Sequence, residues 1–289
     1  MEECDFGPVV VFPLDEKDPH FHVSCGIEEK EKILRIFGEF GLVVVRDIIP
    51  VEDVNDIEEV EERFFFSFFF FFFPGNDFFL LSSPLSPPFP KLCFTLNTPC
   101  LQELRLKTGL PSWNIAELGN VNWTSVYWSK YNESKGFVGY EPALGKHVCE
   151  LRQNEAVLGI FETLLGTKKL AAKLDRFGLM RPTAGNPSWQ TDKGFVHWDQ
   201  NPTIEPDFAR VQGVFLLSDH TETSGGFHAI PGFCKEKFAK YAEVHPSTLE
   251  DQDLIPVKDE YLIKTQLQRI YARRGSLIIW DSRTPHGNW

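Results

Sequence analysis

Apolar positions along this chain follow two rhythms. Ile33, Leu34 and Phe37 recur at i, i+1 and i+4 among charged neighbours, which predicts a short amphipathic helix over Lys30 to Gly38. Leu42 to Ile49 is mostly apolar and short, as expected of a buried strand. From Pro50, the residues Val51, Val54, Ile57 and Val60 recur every third position against Glu52, Asp53, Asp56, Glu58, Glu59, Glu61 and Glu62. That pattern predicts a helix begun by proline, with a solvated acidic face. Asn154 to Leu165 predicts another helix, stopped by Gly166.

The second rhythm fills the C-terminal half. Val211 to Leu217 reads as a buried strand, and Thr223 to Gly232 as a Gly-Gly turn, a short strand and a Pro-Gly turn. Arg273-Arg274-Gly275-Ser276 is a further turn feeding Leu277-Ile278-Ile279-Trp280. Ala239 to Asp259, rich in acids, reads as a long insert between core strands that could cover a pocket. Short strands separated by turns predict a double-sheet jelly roll. There are no internal repeats.

One stretch breaks both rhythms. Phe64 to Phe73 is nearly pure Phe, and a Pro-Gly-Asn-Asp turn and a Ser/Pro-rich tract follow it. A membrane span needs about 20 apolar residues, twice this run. A core strand is no better an account, because Phe on both faces sets no register. Phe codons are pyrimidine-rich, as is the tract ahead of a splice acceptor. Residues 64–100 therefore read as a non-native low-complexity insertion, a translated intron, within a single domain covering 1–289.

Composition narrows the class without choosing a reaction. At 289 residues the chain can bury a sizeable core in one domain. A formal charge of −12 offers no basic field to recruit nucleic acid or an anionic membrane. The start, Met1-Glu2-Glu3-Cys4-Asp5, is acidic and lacks the apolar core of a signal peptide. The six cysteines are scattered with no C-x-x-C spacing, as expected of reduced thiols in a cytoplasmic protein.

Chemistry concentrates at His197-Trp198-Asp199 and at His286, just beyond the strand ending at Trp280. On a strand, residues two apart share a face, so His197 and Asp199 point together and Trp198 points away into packing. Two imidazoles and one carboxylate on one side of a metal leave positions open for exogenous ligands, the arrangement of non-haem Fe(II) oxygenases. An isolated His-x-Asp is equally compatible with an ordinary hydrogen-bonded histidine. His220 and His228 are rival ligands, and Trp189 is a candidate for a substrate entrance.

The order His-x-Asp, Gly-Gly-Phe with Ile-Pro-Gly, then Gly-Ser-Leu-Ile-Ile-Trp-Asp-Ser-Arg-x-Pro-His-Gly-Asn resembles the phytanoyl-CoA dioxygenase (PhyH-like) family of Fe(II)/2-oxoglutarate-dependent oxygenases. Phe37 to Pro50 resembles the family's entry strand. Glu150 to Thr167 and Leu170 to Arg181 resemble the helix and strand ahead of the His-x-Asp. The resemblance covers roughly residues 33–62 and 110–289. It implies a mainly β fold with flanking helices, a double-stranded β-helix (jelly roll, cupin-like). It implies Fe(II) on His197, Asp199 and His286, with 2-oxoglutarate and O₂ at the open positions. Succinate and CO₂ would be released as a small organic or lipid-like substrate is hydroxylated, with no nucleic-acid or membrane partner. In the family an Arg on a last core strand holds the distal carboxylate of 2-oxoglutarate, about one strand's length beyond the distal histidine. That place lies past Trp289, so this chain is expected to lack that strand. Arg181 and Arg283 are its candidate substitutes. Two other classes stay open: a cupin-type metalloenzyme that does not use 2-oxoglutarate, and a non-catalytic jelly-roll metal-binding protein.

Overall fold

A computed structural model describes residues 6–48, 65–74, 137–138, 151–173, 177–180, 183, 186–191, 195–245 and 254–289. The helix expected from Pro50 lies outside the described residues, as do Arg181 and four of the six cysteines. The other two, Cys25 and Cys234, are buried free thiols. Among the described residues no helix is long and apolar enough to cross a membrane.

The first helix, α1 (Lys30–Phe40), buries Ile33, Ile36, Phe37 and Phe40. It ends at Gly41, whose positive φ of 70° lets its N–H reach the Phe37 carbonyl at 2.8 Å. Next comes β1 (Leu42–Val45), buried at every position. It stops short of the expected Ile49 because Asp47 takes a left-handed φ of 58°, which Asp tolerates better than most residues. Two strands follow among the described residues, β2 (Phe65–Pro74) and β3 (Phe137–Val138). The helix α2 (Glu155–Leu165) is capped by Asn154, whose side chain accepts from the N–H groups of Ala156 and Val157. It closes at Gly166, as its sequence pattern predicts.

Two short strands, β4 (Leu170–Lys173) and β5 (Phe177–Met180), precede β6 (His197–Trp198). Then come β7 (Val211–Leu216), β8 (Phe227–Ala229) and helix α3 (Glu236–Val244). The chain continues through β9 (Ile255–Pro256), helix α4 (Glu260–Gln266), β10 (Gln268–Arg269), β11 (Leu277–Asp281) and β12 (His286–Asn288).

These strands form two antiparallel sheets, so the described residues are mainly β with a few helices. The larger has seven strands in the order β1-β11-β7-β2-β5-β3, with β4 also paired to β2. The smaller has five, in the order β10-β8-β12-β6-β9. One apolar core joins them: Val214, Phe215, Leu277 and Ile279 of the larger sheet share it with Phe227 and Ala229 of the smaller. Phe227 and Trp280 meet across it with ring centroids 4.5 Å apart.

One expectation needs correction. The Phe run takes a strand place in the larger sheet, with Ser67 to Phe72 paired to Leu216 to Val211. A β-prone run satisfies the open ladder of β7 through its backbone alone, whatever its side chains do for register. The segment 239–259 is described only at its two ends, residues 246–253 lying outside the described residues. It starts inside α3, where Phe238 and Tyr241 pack on Trp198, and Ile255 pairs with Trp198 at its far end. Its described part therefore packs on the face of β6 that carries Trp198, away from His197. Apolar Phe238 and Tyr241, three apart, hide this helical face among charged neighbours.

Candidate metal centre

Strand pairing assembles the site. His286 of β12 stands directly opposite His197 of β6, and their rings lie 4.6 Å apart between centroids. Asp199 follows β6 immediately and turns its carboxylate to both rings. Its Oδ2 lies 3.7 Å from His197 Nε2 and 3.4 Å from His286 Nε2. One ligating atom from each residue falls within 4.8 Å of the others. Ligands about 2.0–2.2 Å from one ion lie roughly 3 Å apart at a right angle, so a small inward movement completes the set. His197 and His286 are 7% and 4% exposed, whereas the Asp199 side chain keeps 20%, so the site opens on the carboxylate side.

The loop before β12 fixes His286. Its Nδ1 lies 3.0 Å from the Thr284 carbonyl, and a carbonyl can only accept. Nδ1 therefore carries the proton, and Nε2 presents its lone pair beside Asp199. Burial pulls the His286 pKa below its ordinary value, which keeps the ring a neutral base. Burial of Asp199 opposes its charge, but the flanking imidazoles of His197 and His286 outweigh it and hold the carboxyl well below the usual range. An ionised carboxylate between two imidazoles is a donor set that suits a divalent transition metal. Nδ1 of His197 is buried without a hydrogen-bond partner.

The same loop is tied to the N-terminal part of the chain at Gly41. Its carbonyl accepts from the Asp281 N–H at 2.9 Å and from Thr284 Oγ1 at 3.1 Å. A side chain at Gly41 would stand 2.5 Å from that hydroxyl, so glycine is required by space as well as by φ. Rings close in on the imidazoles: Trp280 lies 4.9 Å from His286, and Phe195 4.4 Å from His197.

Other sequence candidates fall elsewhere. Trp198 points away from the ligands, fully buried against Tyr241 at 4.4 Å, as strand alternation predicts. His228 pairs with Gly287, one residue out of step with His286, and so belongs to the opposite face of the smaller sheet. His220 is bound into a backbone bridge with Ala272. Neither joins the cluster. Trp189 packs against the larger core from a single 3₁₀ turn. The Arg283 guanidinium is taken by Asp281, with Nε at 3.0 Å from Oδ1 and Nη2 at 2.7 Å from Oδ2. Burial opposes its charge, but that carboxylate raises its pKa above the ordinary value.

Two contacts escaped the sequence reading. Gln212 Nε2 donates to Asp199 Oδ2 at 2.6 Å, and Arg210 Nη1 donates to the Asp199 carbonyl at 3.3 Å. A buried polar residue inside the apolar run of β7 was the available signal for Gln212.

A protein of Dictyostelium discoideum described as "Putative phytanoyl-CoA dioxygenase" is 27% identical over 181 residues. That alignment covers 51% of this chain, and the chain spans about half (50%) of the length of that curated relative. The phytanoyl-CoA dioxygenase (PhyH) family profile matches residues 127–288, a stretch that holds both imidazoles and the carboxylate. The chain belongs to the phytanoyl-CoA dioxygenase family.

Proposed function

We propose that this protein is an Fe(II)- and 2-oxoglutarate-dependent dioxygenase that hydroxylates a small organic or lipid-like molecule, and that its two sheets form a double-stranded β-helix. The observation that carries the reading is the convergence of His197, Asp199 and His286, with ligating atoms within 4.8 Å, in a chain of this family. These three residues would hold the metal. Bound Fe(II) supplies the redox chemistry that couples 2-oxoglutarate decarboxylation and O₂ reduction to C–H oxidation. The chain contributes orientation and shielding. Thr284 holds the His286 tautomer, Asp199 lowers the net charge of the site, and Phe195, Phe227 and Trp280 pack around the imidazoles.

A second reading is a metalloenzyme on the same ligands that does not use 2-oxoglutarate. The engagement of Arg283 by Asp281 favours it, because that fork is already satisfied. Oxygen uptake by the Fe(II)-loaded protein, with and without 2-oxoglutarate, separates the two. The main reading expects uptake and succinate release only when 2-oxoglutarate is present, through uncoupled turnover even without the substrate. Oxygen uptake that ignores 2-oxoglutarate would establish the second reading.

A further inference from the structure

We propose that Gln212 is a positioning residue that restricts Asp199 to ligation through a single oxygen. This role rests on the metal reading above and concerns the geometry of that site. Asp199 lies just past a two-residue strand, so no ladder of its own fixes its side chain. The grip comes from the other sheet. Gln212 belongs to β7, held by β11 through pairing to Trp280. It is 1% exposed, and its amide donates to Asp199 Oδ2 at 2.6 Å. In the lead-in to β7, Arg210 Nη1 holds the Asp199 carbonyl at 3.3 Å. Both ends of Asp199 are thus fastened from one direction.

The chemistry of Gln212 is costly for a purely structural residue. Its neighbours Val211, Val214 and Phe215 are buried and apolar. Its Oε1 is buried with no hydrogen-bond partner, a desolvation cost that an apolar side chain avoids. What the amide gains is the contact to Asp199. Oδ2 is also the oxygen nearest both imidazoles, 3.7 Å from His197 Nε2 and 3.4 Å from His286 Nε2, so a donor on it fixes the carboxylate with Oδ2 forward and keeps it from turning to present both oxygens equally. One-oxygen ligation by Asp199 with two imidazoles leaves three positions of an octahedral ion open. Chelation by both oxygens would leave two, too few for a bidentate co-substrate together with O₂.

The test is anaerobic titration of the full chain with Co(II), whose visible spectrum reports coordination number. Wild type is compared with Gln212→Met, which keeps the volume and removes the donor. Gln212→Asn, an amide one methylene short, serves as the second variant if the first does not fold. The expected result is metal affinity weaker by about ten- to a hundredfold, with a changed d–d spectrum and a thermal melt that remains cooperative. A wild-type spectrum in the folded variant overturns the role of Gln212, whether or not affinity falls, and leaves the metal reading intact. Failure of the wild-type protein to take up Co(II) overturns both.

Discussion

His286 and His197 are direct partners across the β12–β6 ladder, with ring centroids 4.6 Å apart. A slip of one residue in that pairing would turn one imidazole to the far side of the sheet and dismantle the site. What holds the register is therefore as much a part of the candidate metal centre as the three side chains.

Gly287 is the most exposed point of that register to mutation. A Cβ there would collide with the Phe195 carbonyl oxygen and stand 2.6 Å from His228 Nε2. The first of these is backbone and cannot swing aside. We expect Gly287→Ala to cost about 1–3 kcal/mol of stability, the usual range for overpacking, and to weaken metal binding by moving His286. Denaturant unfolding and a metal titration check this together. Wild-type values in both would show that β12 is not packed as described.

Acid sensitivity follows from three buried histidines outside the His197, Asp199 and His286 cluster. His22 Nδ1 accepts the Tyr271 N–H at 2.8 Å, and burial lowers its pKa to about 4. Burial likewise holds His220 and His228 at about 3. Each takes up a proton near its ordinary value of 6.5 once unfolded, so below that pH the unfolded state binds more protons. Their contribution to stability is complete above pH 6.5 and is lost as the pH falls towards 4 and then 3. Thermal melts should show Tm falling steadily between pH 7 and 5. A flat Tm over that interval would contradict neutral burial of these rings.

Much of this was legible from sequence, and the exceptions have separate causes. The helices α1 and α2 follow from apolar spacing and a closing glycine, and β7, β8 and β11 from short apolar runs between turns. The strand period accounts for Trp198 turning away from His197, but Asp199 lies just past the end of β6, so its approach to His197 rests on the bend there and not on strand alternation. The role of Gln212 was not legible, because it depends on β7 of one sheet facing β6 of the other, a long-range pairing that no local pattern encodes. The Phe run failed differently: a homopolymer has no alternation, so nothing in it announces the strand its backbone forms.

That run also invites a test at the level of the gene. We propose that residues 64–100 are a translated intron within one oxygenase domain of residues 1–289. The strand β2 would then be an accidental occupant of the β7 edge, accepted because any extended backbone can complete an open ladder. The mature transcript should join the codons flanking this segment and omit it. A message that encodes the Phe run would contradict the proposal.

The central claim is that His197, Asp199 and His286 together hold one metal ion. Anaerobic Fe(II) titration of the wild-type chain and of His197→Ala, Asp199→Ala and His286→Ala tests it most directly. Open three-ligand sites are built on a preformed scaffold, so each variant should melt cooperatively yet lose its bound iron. The account predicts one Fe(II) per wild-type chain and none retained by any of the three variants. Full iron occupancy in Asp199→Ala would contradict it.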